Sequence, residues 1–135
     1  MELIAMANPS KQKGTKAETK IVRFMVESPS IDAERRALKG SADAGDIIVK
    51  SNGWSCILEV KAGKQTDRYN RKLKEEWLRQ TEVESANADL PGFLVIAAFN
   101  RSTKDYEVWD SKGERFWYLD EFRDSIAEKG YPASR

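Results

Sequence analysis

Three residues in the middle of the chain have the types and spacing that metal-assisted hydrolysis requires: Asp46, Glu59 and Lys61. Two carboxylates at short range form a hard oxygen donor pair, which suits Mg2+ or Mn2+. A lysine beside them is a point charge that can lower the pKa of an attacking water or offset negative charge building up on a phosphate. Like charges directly opposite one another in a sheet are a local cost, unless a cation or a proton sits between them.

The flanking segments say how the three would meet. Asp46-Ile47-Ile48-Val49-Lys50 and Ser55-Cys56-Ile57-Leu58-Glu59-Val60-Lys61 are β-type runs, separated by Ser51-Asn52-Gly53-Trp54. Asn-Gly between β-branched runs predicts a hairpin with a two-residue type I′ turn. That turn sets Lys50 against Ser55, Ile48 against Ile57 and Asp46 against Glu59. Opposed residues of an antiparallel pair share a face, and so do Glu59 and Lys61 on one strand. A solvated outer sheet face would carry the same neighbours, so the hairpin by itself leaves a polar surface and a reactive site both open.

A helix is expected from Thr15 to about Glu27, with Ala17, Ile21 and Phe24 on an apolar stripe and Lys16, Lys20 and Arg23 on a basic one. Glu18 shares the row of Val22 and Met25 and so points toward the protein body. Ser28-Pro29-Ser30 ends this helix. Ile31 to Lys39 reads as a short helical or irregular segment, and Gly40 to Gly45 as a loop. A second helix runs from Asn70 to about Asn87, with Leu73, Trp77 and Gln80 on one side. Phe93 to Phe99 is continuously apolar, as in a strand covered on both faces, and Tyr106 to Trp109 reads as its partner. A last helix is introduced by Leu119-Asp120, with Asp120 as N-cap and Gly130 as the stop. The order predicts an α/β fold, a mixed sheet with helices packed on it. Residues 1–14 read as a flexible basic arm ahead of a single domain, 15–135.

Composition narrows the chemistry. The 135 residues fit one domain, and 40% hydrophobic with 33% charged residues is ordinary for a soluble globular chain. No apolar run approaches membrane-spanning length, and the start lacks a secretory pattern. No membrane association is expected, and the expected compartment is the cytoplasm (for a phage protein, that of its bacterial host). There is no histidine and one cysteine. Catalytic His–Ser and His–Cys pairs, imidazole zinc sites and internal disulfides are thereby excluded. Cys56, inside an apolar run, reads as a small core residue. The net charge of +1 is no nucleic-acid signature. Its distribution is more telling, because basic residues gather on both sides of the trio: Lys11 to Arg23 and Arg35 to Lys39 before it, Lys64 to Lys74 after it.

Asp46 followed by Glu59-Val60-Lys61 on the next strand, with Gly45-Asp46-Ile47 and a helical Glu18 ahead of it, resembles the signature of PD-(D/E)XK nucleases. Lys13-Gly14-Thr15-Lys16-Ala17-Glu18 resembles the beginning of archaeal-type Holliday-junction resolvases and their phage relatives. Arg35-Arg36-Ala37-Leu38-Lys39-Gly40-Ser41-Ala42-Asp43-Ala44-Gly45-Asp46 looks like the phage sequences in particular. The resemblance spans roughly Lys11 to Phe99. It implies a restriction-endonuclease-like mixed β-sheet flanked by α-helices, with a common core over about 15–109 and a C-terminal addition over 110–135. It further implies hydrolysis of DNA phosphodiesters with Mg2+ or Mn2+. Asp46 and Glu59 would ligate the metal with the Val60 carbonyl, Lys61 would position or activate water, and Glu18 would complete the site. Gln80 would correspond to a helix glutamine of several such nucleases. Lys13, Lys16, Lys20, Arg35, Arg36, Lys39, Ser41 and Lys64 would contact DNA, Ser41 and Arg36 at loop positions near the scissile phosphate. The implied partner is a four-way DNA junction, bound by a symmetric homodimer for which Trp109, Phe116, Trp117 and Tyr118 are apolar interface candidates. A nuclease acting on flaps, nicks or linear ends, and a non-catalytic DNA-binding protein, are the competing readings.

Overall fold

The computed structural model describes residues 9–36 and 45–134, with side chains from residue 15 in the first segment. Six strands form one sheet in sequence order: β1 (Asp32–Arg35), β2 (Ile47–Ser51), β3 (Trp54–Ala62), β4 (Gly92–Ala97), β5 (Glu107–Asp110) and β6 (Phe116–Tyr118). Among the described residues, three helices flank it: α1 (Pro9–Val26), α2 (Arg71–Ala88) and α3 (Leu119–Lys129). Among the described strands only β3 and β4 run parallel, joined through α2, so the sheet is mixed.

The β2–β3 hairpin has the expected register, Lys50 with Ser55 and Ile48 with Ile57. Its turn residues Asn52 and Gly53 have φ of 47° and 85°, the positive pair that a type I′ turn demands. Side chains then alternate along β3. Cys56, Leu58 and Val60 join the core under α1 and α3 with Ile21, Met25, Phe93 and Val95. The opposite face packs Leu94 and Ile96 against Trp77 of α2. Each fully buried aliphatic side chain contributes about 1.5–3 kcal/mol relative to exposure.

Four expectations are corrected. Residues 9–14, assigned to a flexible arm, are the first turns of α1, while the rest of that arm lies outside the described residues. The segment from Ile31 contains a strand, β1, rather than a helical or irregular stretch; main-chain pairing with β2 selects it although its side chains are mostly exposed. Strand β4 stops at Ala97, so Phe99 lies beyond it. Helix α3 starts at Leu119 after Tyr118, whose N–H donates to the Glu121 carboxylate at 3.0 Å, which displaces Asp120 from the cap position. Asn70 does cap α2, accepting from the Leu73 N–H at 2.8 Å.

The C-terminal segment is integral to the packing. Trp117, Leu119, Phe122 and Ile126 enter the same core as Ile47 and Val49. The Phe93 ring meets those of Phe122 at 5.0 Å and Trp117 at 5.8 Å. Trp117 is therefore a core residue and not an interface candidate. No helix among the described residues is long and apolar enough to cross a membrane.

Candidate active site

Asp46 stands where β2 begins, between β1 and β3. Its carbonyl accepts from the Arg36 N–H at 2.8 Å, and its own N–H donates to Leu58 O at 2.9 Å. Gly45 before it has φ +100°, and a Cβ there would fall 3.0 Å from the Ile57 side chain, so the approach to Asp46 requires glycine. The Asp46 carboxylate turns back over β3, where Oδ2 accepts from the Val60 N–H at 2.8 Å.

Glu59 and Lys61 project from β3 toward α2. Lys61 Nζ lies 3.1 Å from Glu59 Oε2. It also donates to Gln80 Oε1 at 2.7 Å, and Gln80 Nε2 donates to Glu84 Oε2 at 3.0 Å. Glu84 closes the circuit by contacting Glu59. Glu59 is 3% exposed and Glu84 is 1% exposed, so this is a buried polar network rather than a solvated face.

Burial is the largest influence on both carboxyls facing each other. It pushes Asp46 up to about 8, helped by the charges of Glu59 and Glu18 and opposed by the Val60 N–H. It likewise pushes Glu59 up to about 8, helped by Glu84 and opposed by Lys61. Glu59 Oε1 is buried and meets no N–H or O–H donor among the described residues. Such an oxygen is satisfied by a proton shared with a neighbouring carboxyl or by a cation. The donor set therefore fits a hard divalent ion. No group of three or more Asp, Glu, His or Cys side chains converges as metal ligands among the described residues. An ion here would rest on two carboxylates, a main-chain carbonyl and oxygens from outside the chain, a sparse set of the kind Mg2+ accepts.

The other expected residues are distributed as follows. Glu18 is close enough for its charge to act on Asp46, but its Oε1 is paired with Arg35 Nε at 3.0 Å. Arg36 is joined to Asp46 through the main chain and is exposed, as are Lys16 and Lys20 on α1 and Lys64 in the turn after β3. The Lys13 side chain, Lys39 and Ser41 lie outside the described residues. Among the basic residues that follow the trio, Lys74 is occupied structurally, its Nζ 3.2 Å from the centre of the Trp109 ring.

Glu84 is the member that the sequence reading missed. Its signal was legible: with Trp77 and Thr81 it forms the buried stripe of α2, and a carboxylate on such a stripe needs partners.

No family model and no curated protein matches the sequence. Solved structures do match. One is Archaeoglobus fulgidus Hjc, described as a Holliday junction resolvase from an archaeal hyperthermophile. It superposes with a TM-score of 0.53 over 73% of this chain and 78% of that one, at 16% identity. At that identity the likeness is one of fold: the six-stranded mixed sheet with flanking helices is restriction-endonuclease-like.

Proposed function

We propose that the chain is a metal-dependent DNA endonuclease, with the four-way Holliday junction as its leading substrate and a homodimer as its working form. The observation that carries this reading is the half-buried Asp46 opposed to the buried Glu59 with Lys61 beside them, on a sheet whose fold is shared with a resolvase. Asp46 and Glu59, with the Val60 carbonyl, hold Mg2+ or Mn2+. When bound, the ion supplies positive charge that polarises a phosphate and makes water more acidic. Gln80 and Glu59 fix the Lys61 ammonium beside the carboxylates, where it orients the attacking water and offsets charge on the phosphate. Glu18, tied to Arg35, adds negative charge beside Asp46 and so favours cation binding there.

Lys16, Lys20, Arg36 and Lys64, together with Lys13, Lys39 and Ser41, engage backbone phosphates without reading bases, and binding weakens steeply with salt. Trp109, Phe116 and Tyr118 remain the aromatic surface for a two-fold contact, the Trp109 and Phe116 rings 4.7 Å apart.

Labelled four-way junction, flap and linear duplex, each with Mg2+ or with EDTA, test the proposal. Symmetric nicks on the junction, dependent on the metal, are expected. Asp46→Asn and Lys61→Ala should abolish cutting and leave junction binding intact. Preferential cutting of flaps or ends would replace the substrate assignment. An absence of cleavage on every substrate would overturn the enzyme reading.

A further inference from the structure

Phe99 is 72% exposed, the most exposed large hydrophobic side chain among the described residues. It follows the end of β4, free of the sheet that buries Phe93 to Ala97. It borders a cavity of about 230 Å3 lined also by Lys16, Lys20, Ala62, Ala97 and Tyr106. Among the described residues, no acidic side chain lines that cavity. Lys16 and Lys20 are one helical turn apart, so both ammonium groups rise from the same side of α1. Ala62 directly follows Lys61 and lies on the other face of the sheet, so the cavity opens from the end of the strand that carries the candidate site.

An aromatic ring beside paired cations matches a nucleotide on both counts. The base offers a flat π face to the ring, and its phosphates offer charge to the lysines. A lone apolar partner would leave the lysines unused, and a duplex backbone alone would leave the ring unused. We infer that Phe99 is a stacking platform for a nucleobase that has left the duplex stack, with Lys16 and Lys20 holding the adjoining phosphates. The inference rests on the DNA reading above and refines it: the preferred substrates are those that offer unstacked bases, such as junction centres, flaps and frayed ends. Intact duplex keeps its bases stacked and gains nothing from the ring.

The test compares the affinity of wild type, Phe99→Ala and Phe99→Trp for a four-way junction and for linear duplex of equal length, in EDTA. Light scattering is run on each protein in parallel. Phe99→Ala should bind the junction about tenfold more weakly with duplex affinity unchanged, and Phe99→Trp should restore junction binding. Equal junction affinity for wild type and Phe99→Ala overturns the inference. So does a shift in oligomeric state at unchanged affinity per protomer, which would make a second copy the occupant of the groove. Wild type that cuts DNA while Phe99→Ala keeps full junction preference defeats the stacking role alone. Wild type whose junction binding depends on Phe99 but which never cuts supports it and defeats the nuclease reading.

Discussion

Along β3, Cys56, Leu58 and Val60 face α1 and α3, whereas Ile57, Glu59 and Lys61 face α2. Burial does not separate the two sides, because Leu58 is 0% and Glu59 only 3% exposed. The separation lies in what each buried atom finds. Leu58 joins an apolar cluster, and removal from water favours it. Glu59 meets Asp46, Glu84 and one lysine, and removal from water raises its pKa. One strand thus joins a face that stabilises the fold to a face that draws on that stability to hold charges at short range. Buried carboxyls are tolerated because the aromatic and aliphatic packing around Phe93 lies on the other side of the same backbone.

Substitution of neighbouring residues should break this contrast most visibly. Leu58→Ala is expected to cost about 2–5 kcal/mol in denaturant unfolding. Glu59→Gln, without metal and above the raised pKa, should leave stability unchanged or raise the melting temperature by a few degrees, while cleavage is lost. Comparable destabilisation by both would mean that the two faces do not differ as described. A smaller effect is expected from Gln80→Ala, which removes the amide that links Lys61 to Glu84 and leaves both in contact with Glu59. Turnover should fall roughly 10- to 100-fold with DNA affinity unchanged, and a full-rate variant would remove Gln80 from the network's function.

The same contrast can be read in pH. The ordinary values of Asp46 and Glu59 are 3.8 and 4.5, and both are raised to about 8 in the folded chain. Between those limits the folded state keeps protons that the unfolded chain has released. Their contribution is therefore full at low pH, declines as pH rises toward 8 and levels off above it. A divalent cation competes with the same protons, so its stabilising effect should grow over that window. Thermal melts at pH of about 6 and about 8.5, with and without Mg2+, read both trends. A metal effect independent of pH would place the ion elsewhere.

Much of this was legible in the sequence. Asn52-Gly53 set the hairpin register, and the apolar run from Phe93 marked a central strand, because both signals are local. Strand β1 was not legible: Asp32 to Arg35 lack alternation, and main-chain bonds to β2 define it. Strand β6 is three residues long, too short to show a period, and its aromatic side chains suited an interface as well as a core. Phe99 continued an apolar run, and only the end of the β4–β5 pairing reveals that it leaves the sheet. Glu84 was legible as a carboxylate on the buried stripe of a helix, but its partner Glu59 became visible only once α2 lay over β3.

Cys56 gives this arrangement a practical use. Its thiol is fully buried, burial pushes its pKa up, and it lies on β3 three residues before Glu59. A thiol-reactive dye can reach it only when that strand parts from its neighbours. The rate of labelling is therefore a stopwatch for opening of the strand that carries the candidate site, built from the one cysteine in the chain.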